Sequence, residues 1–246
     1  MGTNFRHSSP RFTAAIVSSN DRAFTRLELC AALTAFGLIA LVVAPTLAST
    51  KTDGERVVCF NNLRMIGHAV NAYQADHGGK VSWRTLITDG GTMPTSGLKP
   101  GVAWSEFAFF SNNLATPKIL ACPADTGVRV ARSFPEYRSV GFRENATSYT
   151  VGLDVATGNP RAWISGDRNL RASGFFGGCS ARVNNAETIL LNSQTTLTWT
   201  NAVHGTQGHL LLNDGSVSFT DTPTMRSLLL TNNIDFQDFF HFLKAQ

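Results

Sequence analysis

With 246 residues, 43% hydrophobic and 15% charged, the chain has room for one membrane element plus one domain, or two small domains, and its composition excludes a peptide or a mostly disordered protein. The formal net charge is +4 and the pI is near 9.1, yet the 21 Lys and Arg are scattered with no run of five like charges, which argues against a nucleic-acid-binding protein. Four cysteines, Cys30, Cys59, Cys122 and Cys179, show neither a CxxC pair nor the Cys/His spacing of a zinc motif.

The first element is the run AFTRLELCAALTAFGLIALVVAP at 23–45. From Leu29 to Leu47 no residue is charged, and these nineteen positions as a helix reach roughly 28 Å, about one hydrocarbon thickness. A membrane anchor, the apolar core of a signal peptide cut after Ala48, and a buried core helix are the three readings. The core helix fits worst, because this segment is apolar on every side. A signal peptide would have an unusually long polar lead-in of 28 residues, ending in an acid. A carboxylate at a membrane edge, Glu28, calls for a positive partner. Arg26 is one candidate. Pro45 removes a backbone hydrogen bond and bends or loosens a helix locally. Cys30 lies inside the run, so Cys59, Cys122 and Cys179 remain for an exported domain, an odd set that permits one disulfide whose pair is not readable.

After a polar stretch around Gly54, helical periodicity returns. Cys59, Leu63, Ile66, Val70 and Tyr73 form one apolar stripe, with Asn61, Asn62, Arg64, Asn71 and Gln74 between them. Lying on that stripe, Cys59 reads as a buried thiol rather than a disulfide partner. Gly78-Gly79 supplies the stop, so a helix from Phe24 to His77 would be roughly 80 Å long. From Lys80 to Pro117 the chain reads as a long loop with short helical pieces. Strand-like runs follow at 117–123, 147–155 and 186–193, then GHLLLN and SVSFT flank Asp214-Gly215 as a two-residue hairpin. A helical tail from Pro223 to about Lys244 closes the chain.

Phe24, Thr25, Glu28 and Pro45, the twenty-second residue counted from Phe24, stand in one register. This stretch resembles the N-terminus of type IV prepilins and type II secretion pseudopilins. The segments CFNNLRMIGHAVNAY, SYTVGLD, GNPRAWISGDRNL and HGTQGHLLLNDGSV are similar to a bacterial pseudopilin-like family marked by a His, nine residues and Asp-Gly, here His204, Asp214 and Gly215. Ala23 stands where glycine is usual, and Arg26 where an apolar residue is usual.

The resemblance implies a cytoplasmic leader (1–23), a transmembrane and assembly helix (24–50) and a periplasmic head (51–246) anchored in the bacterial inner membrane. The implied fold is α+β and pilin-like: a long N-terminal helix, membrane-spanning and then packed on the head, with a small antiparallel sheet. A prepilin peptidase would cut between Ala23 and Phe24 and methylate the new amine. Other pseudopilin subunits would be the filament partners, with Glu28 of one subunit neutralising the Phe24 amine of its neighbour. The implied role is structural rather than enzymatic. The rival reading is a membrane-tethered or exported binding or enzymatic domain with its activity around His204 and Asp214.

Head chemistry reads as structural. His204 with Asp214, or with Asp167, has the residue types of an acid–base pair or metal site, but no GxSxG, HExxH or phosphate-binding loop accompanies them. Asp214 is sufficiently explained as a turn former. Asp154, Asp167, Asp214 and Asp221 with Asn159, Asn169 and Asn213 are oxygen donors of the kind calcium takes. They form no alternating ligand pattern, so no calcium ligands are assigned and no cofactor is expected.

Overall fold

The computed structural model describes residues 25–172, 175–176, 181–184, 187–190, 197–232 and 239–243; within these, the side chains of 42, 44–50, 172, 175–176, 187–190, 230–232 and 239–240 are left aside. The protein is mixed helix and antiparallel sheet. Its contacts divide after Ala48 into two compact units, taken in turn below.

Helix α1 is assigned over Arg26–Asp76. In the first unit its apolar side chains are open, with Leu27 82%, Leu33 63%, Phe36 74% and Leu41 73% exposed. Among the described residues no helix is long and apolar enough to cross a membrane; the side chains of Val42 and of 44–50, which complete the apolar run, are not among them.

In the second unit the stripe of α1 is the spine of the core. Cys59, Leu63, Ile66, Val70 and Tyr73 are all buried, as the periodicity predicts. The chain leaves the helix where Gly79 donates its amide to the Gln74 carbonyl at 2.8 Å, so the glycine stop falls where expected. The segment that follows carries β1 (Lys99–Pro100) and α2 (Ala103–Phe109), and α3 (Phe134–Tyr137) comes later. The run at 117–123 is not a strand. Pro117 opens a 3-10 turn over Pro117–Leu120, and the Lys118 amide donates to the Thr116 hydroxyl.

The strands are β2 (Tyr149–Gly152), β3 (Trp163–Asp167), β4 (Leu170–Ala172), β5 (Phe175–Phe176), β6 (Val183–Asn184), β7 (Glu187–Leu190), β8 (Leu197–Trp199), β9 (Gln207–Leu212) and β10 (Val217–Asp221), followed by α4 (Thr222–Asn232) and β11 (Phe239–Leu243). Seven form one sheet in the order β10-β9-β3-β2-β11-β7-β5, with every neighbouring pair antiparallel. The expected single helical tail to about Lys244 is corrected: α4 is described to Asn232, and Phe239–Leu243 is a strand between β2 and β7. Consecutive residues of a strand face opposite sides, and the core follows that rule. Leu211 and Leu243 join α1, Tyr149 and Val151 in one cluster. Leu210 and Phe242 join Trp163, Trp199, Met225 and Leu229 in the other, under α4.

The β9–β10 hairpin has three loop residues rather than two. Leu212 donates its amide to the Ser216 carbonyl and accepts from Gly215, which takes φ 82°. This is a tight turn followed by a left-handed glycine, a geometry that a β-carbon would strain.

Candidate functional site

At the start of α1, Thr25 and Glu28 form a reciprocal cap. The Thr25 amide and hydroxyl donate to Glu28 Oε2 at 2.9 and 3.0 Å, and the Glu28 amide donates back to Thr25 Oγ1 at 3.3 Å. The carboxylate thus satisfies orphan donors of its own first turn. Among the described residues Arg26 makes no ion pair with it. Ala23 and Phe24 lie outside the described residues. Pro45 falls within the helical assignment, though its side chain is not described.

The head gathers a second set. Asp167 ends β3, His209 sits in β9, His204 precedes β9, Cys59 lies on α1, and Cys122 follows the 3-10 turn. Cys59 and Cys122 form a disulfide, which corrects the expectation of a buried free thiol on the α1 stripe. Helical periodicity gives a residue's face but not its covalent partner, which arrives from 63 positions away. His204 Nε2 lies 3.4 Å from Cys122 Sγ and 3.7 Å from Asp167 Oδ2. His209 donates its backbone amide to Asp167 Oδ2 at 2.7 Å, and its Nδ1 lies 2.9 Å from the same oxygen. Phe219 packs on both imidazoles, and Arg56 of α1 lies 5.1 Å over the Phe219 ring.

This cluster is closed to solvent. Asp167 is 0%, His209 2% and His204 4% exposed. Two buried atoms within it, Asp167 Oδ1 and His204 Nδ1, have no hydrogen-bond partner among the described residues. Burial holds the His204 imidazole below its ordinary range; Asp167 opposes that shift, while His209 and Arg56 reinforce it. The chemistry at hand is that of an imidazole beside a buried carboxylate and a disulfide, whose sulfurs become donors for a soft divalent cation only as thiolates after reduction.

The structure separates the two parts of the His204 and Asp214-Gly215 signature. Asp214 is exposed and accepts the Ser216 amide at 2.8 Å, while the partner of His204 is Asp167. Both parts nevertheless fasten the sheet to α1. His204 abuts the Cys59–Cys122 link, and the hairpin meets α1 at Gly67, where a β-carbon would come within 2.9 Å of Leu211 Cδ1. About two turns further along the helix, Gln74 donates to Asn213 Oδ1 at 2.9 Å. From Cys59 to Asn71 the helix rises roughly 18 Å. The β9 strand covers about 20 Å, which accounts for the spacing between the two fastening points.

His209 was missed by sequence reasoning. Its signal was alternation, because two positions before Leu211 it must face α1. The oxygen donors proposed for calcium are dispersed. Asp154 takes the His241 amide and Nδ1 at 2.5 and 3.0 Å, repeating the Asp167–His209 design, and Asp221 accepts the Thr224 amide at the start of α4. No known family model, curated protein or solved structure matches this chain.

Proposed function

We propose that the protein is a pseudopilin-like structural subunit, cut between Ala23 and Phe24 by a prepilin peptidase and assembled through residues 24 to about 50, with its head on the periplasmic side of the inner membrane. The observation that carries this reading is the register of Phe24, Glu28 and Pro45 around an uncharged run. Supporting it, the apolar side chains described in that run, from Leu27 to Leu41, are open on every side. Such a surface requires lipid or neighbouring helices to cover it. The long helix that spans the membrane and then packs on the head, the pilin-like fold, belongs to the same proposal. The rival reading, a binding or enzymatic head with its activity around His204 and Asp214, finds His204 buried and Asp214 exposed at the hairpin turn.

Because Glu28 also caps its own helix, substitution by Ala removes both cap and charge, whereas Gln keeps a capping side chain and removes only the charge. Glu28→Gln should insert and be processed normally, with a mature N-terminus at Phe24 by mass and sequencing, yet fail to form filaments. Normal filaments from Glu28→Gln would sink the charge-pairing argument, and a mature N-terminus at Ser49 would sink the whole reading.

A further inference from the structure

We propose that the Cys59–Cys122 disulfide and a bound zinc-class divalent cation are alternative occupants of one site, and that the reduced head holds the cation through Cys59 Sγ, Cys122 Sγ, His204 Nε2 and the Asp167 carboxylate. This site is independent of filament assembly and of the membrane segment.

Geometry supports it first. With metal–sulfur bonds near 2.3 Å and metal–nitrogen or –oxygen bonds near 2.0 Å, a tetrahedron has S···N edges of roughly 3.5 Å and N···O edges of roughly 3.3 Å. His204 Nε2 lies 3.4 Å from Cys122 Sγ, an edge already near tetrahedral length, and 3.7 Å from Asp167 Oδ2, which places the same carboxylate beside the imidazole. Ligand atoms of Cys59, Cys122 and His204 all lie within 4.8 Å of one another, and so do those of Asp167, His204 and His209. His204 is common to both groups and joins them. Once reduced, the sulfurs must separate to roughly 3.8 Å, and the Asp167 carboxylate, which shares His204 but not the 4.8 Å group of the cysteines, must close on them to complete the figure.

The electrostatics point the same way. Asp167 is fully buried, and its Oδ1 has no hydrogen-bond partner among the described residues, leaving one carboxylate oxygen open for a cation. Oδ2 is already held by the His209 amide and Nδ1, the outer-shell support that orients a metal-bound carboxylate. The site has four protein donors and no solvent-facing position, as structural rather than catalytic zinc sites do.

The exchange balances. A dithiol or phosphine reductant supplies two electrons, and two protons are taken up as the disulfide becomes two thiols. Cation binding then releases those two protons as both sulfurs ligate as thiolates. The cross-link between α1 and the 121–125 segment is kept in either state, by a covalent bond in one and by the cation in the other.

The test uses the full chain in detergent, with Cys30→Ser and Cys179→Ser so that only two thiols report. The chain is reduced with a phosphine, then titrated with Co2+ and afterwards with Zn2+. The expected result is one Co2+ per reduced chain with a thiolate-to-cobalt charge-transfer band, displaced by one Zn2+, and no such band in the oxidised chain. His204→Gln should weaken Co2+ binding at least tenfold, and His209→Gln about 10–100-fold, as outer-shell substitutions do. If reduction unfolds the head, the titration is read as cation-driven recovery of the far-ultraviolet circular dichroism. Two titratable thiols with no cobalt band and no recovery would overturn the proposal. So would a cobalt spectrum lacking thiolate character, or equal binding by the oxidised chain.

Discussion

The two ends of α1 both carry large apolar side chains, and these meet different fates. Between Leu27 and Leu41 the large apolar side chains are more than half exposed, whereas from Cys59 to Tyr73 the stripe is 0–7% exposed. The arrangement of the apolar residues accounts for the contrast. An apolar stripe bounded by Asn and Arg fits the one face a sheet can offer, while a segment apolar all round cannot be satisfied by a single face. The helix thus carries a buried stripe in the head and an exposed apolar surface before it.

The largest effect expected from this contrast lies in the stripe. Leu63→Ala should destabilise the head by about 2–5 kcal/mol in urea unfolding, because it leaves a cavity at a fully buried position. Leu33→Ala should change the same measurement by no more than about 0.5 kcal/mol, since Leu33 is 63% exposed. Equal losses from the two would break the comparison. Gly215→Ala should cost about 1–2 kcal/mol by placing a β-carbon at φ 82°, and it should loosen the hairpin's hold on α1 near Asn71.

The smallest effect is in the pH dependence. The folded His204 is held neutral below the ordinary imidazole value of about 6.5, so the unfolded chain takes up its proton first as pH falls. Its contribution to stability is therefore fully present above about pH 6.5 and is lost as pH falls below that value. His209, Asp167, Arg56 and Glu55 act on the same imidazole, so the readout is the difference between wild type and His204→Gln. That difference should be flat above pH 7 and slope below 6.5; parallel curves throughout would remove His204 as the cause.

Much of the head was legible because its signals are local. The α1 stripe, the stop at Gly78-Gly79, the strand within 147–155, Pro223 in the first turn of α4 and the hairpin flanks each depend on periodicity or turn chemistry over a few residues. PKILACP was misread because proline opens a 3-10 turn as readily as it borders a strand. The tail was misread because FFHFL is a short, nearly continuous apolar run, which periodicity does not assign. Pairing with β2 and β7 makes it a strand.

By itself the sequence determined the apolar run with Glu28 at its mouth, the amphipathic second half of α1 and the positions of the strongest turns, since these follow from spacing along one stretch of chain. Only the tertiary structure decided that Cys59 bonds Cys122, that His204 meets Asp167 rather than Asp214, and that sulfur, imidazole and carboxylate share one dry pocket. Their spacing carries no metal or catalytic motif, because the donors come from α1, the segment after the 3-10 turn, β3 and the approach to β9, and it is the packing of the sheet on the helix that brings them together.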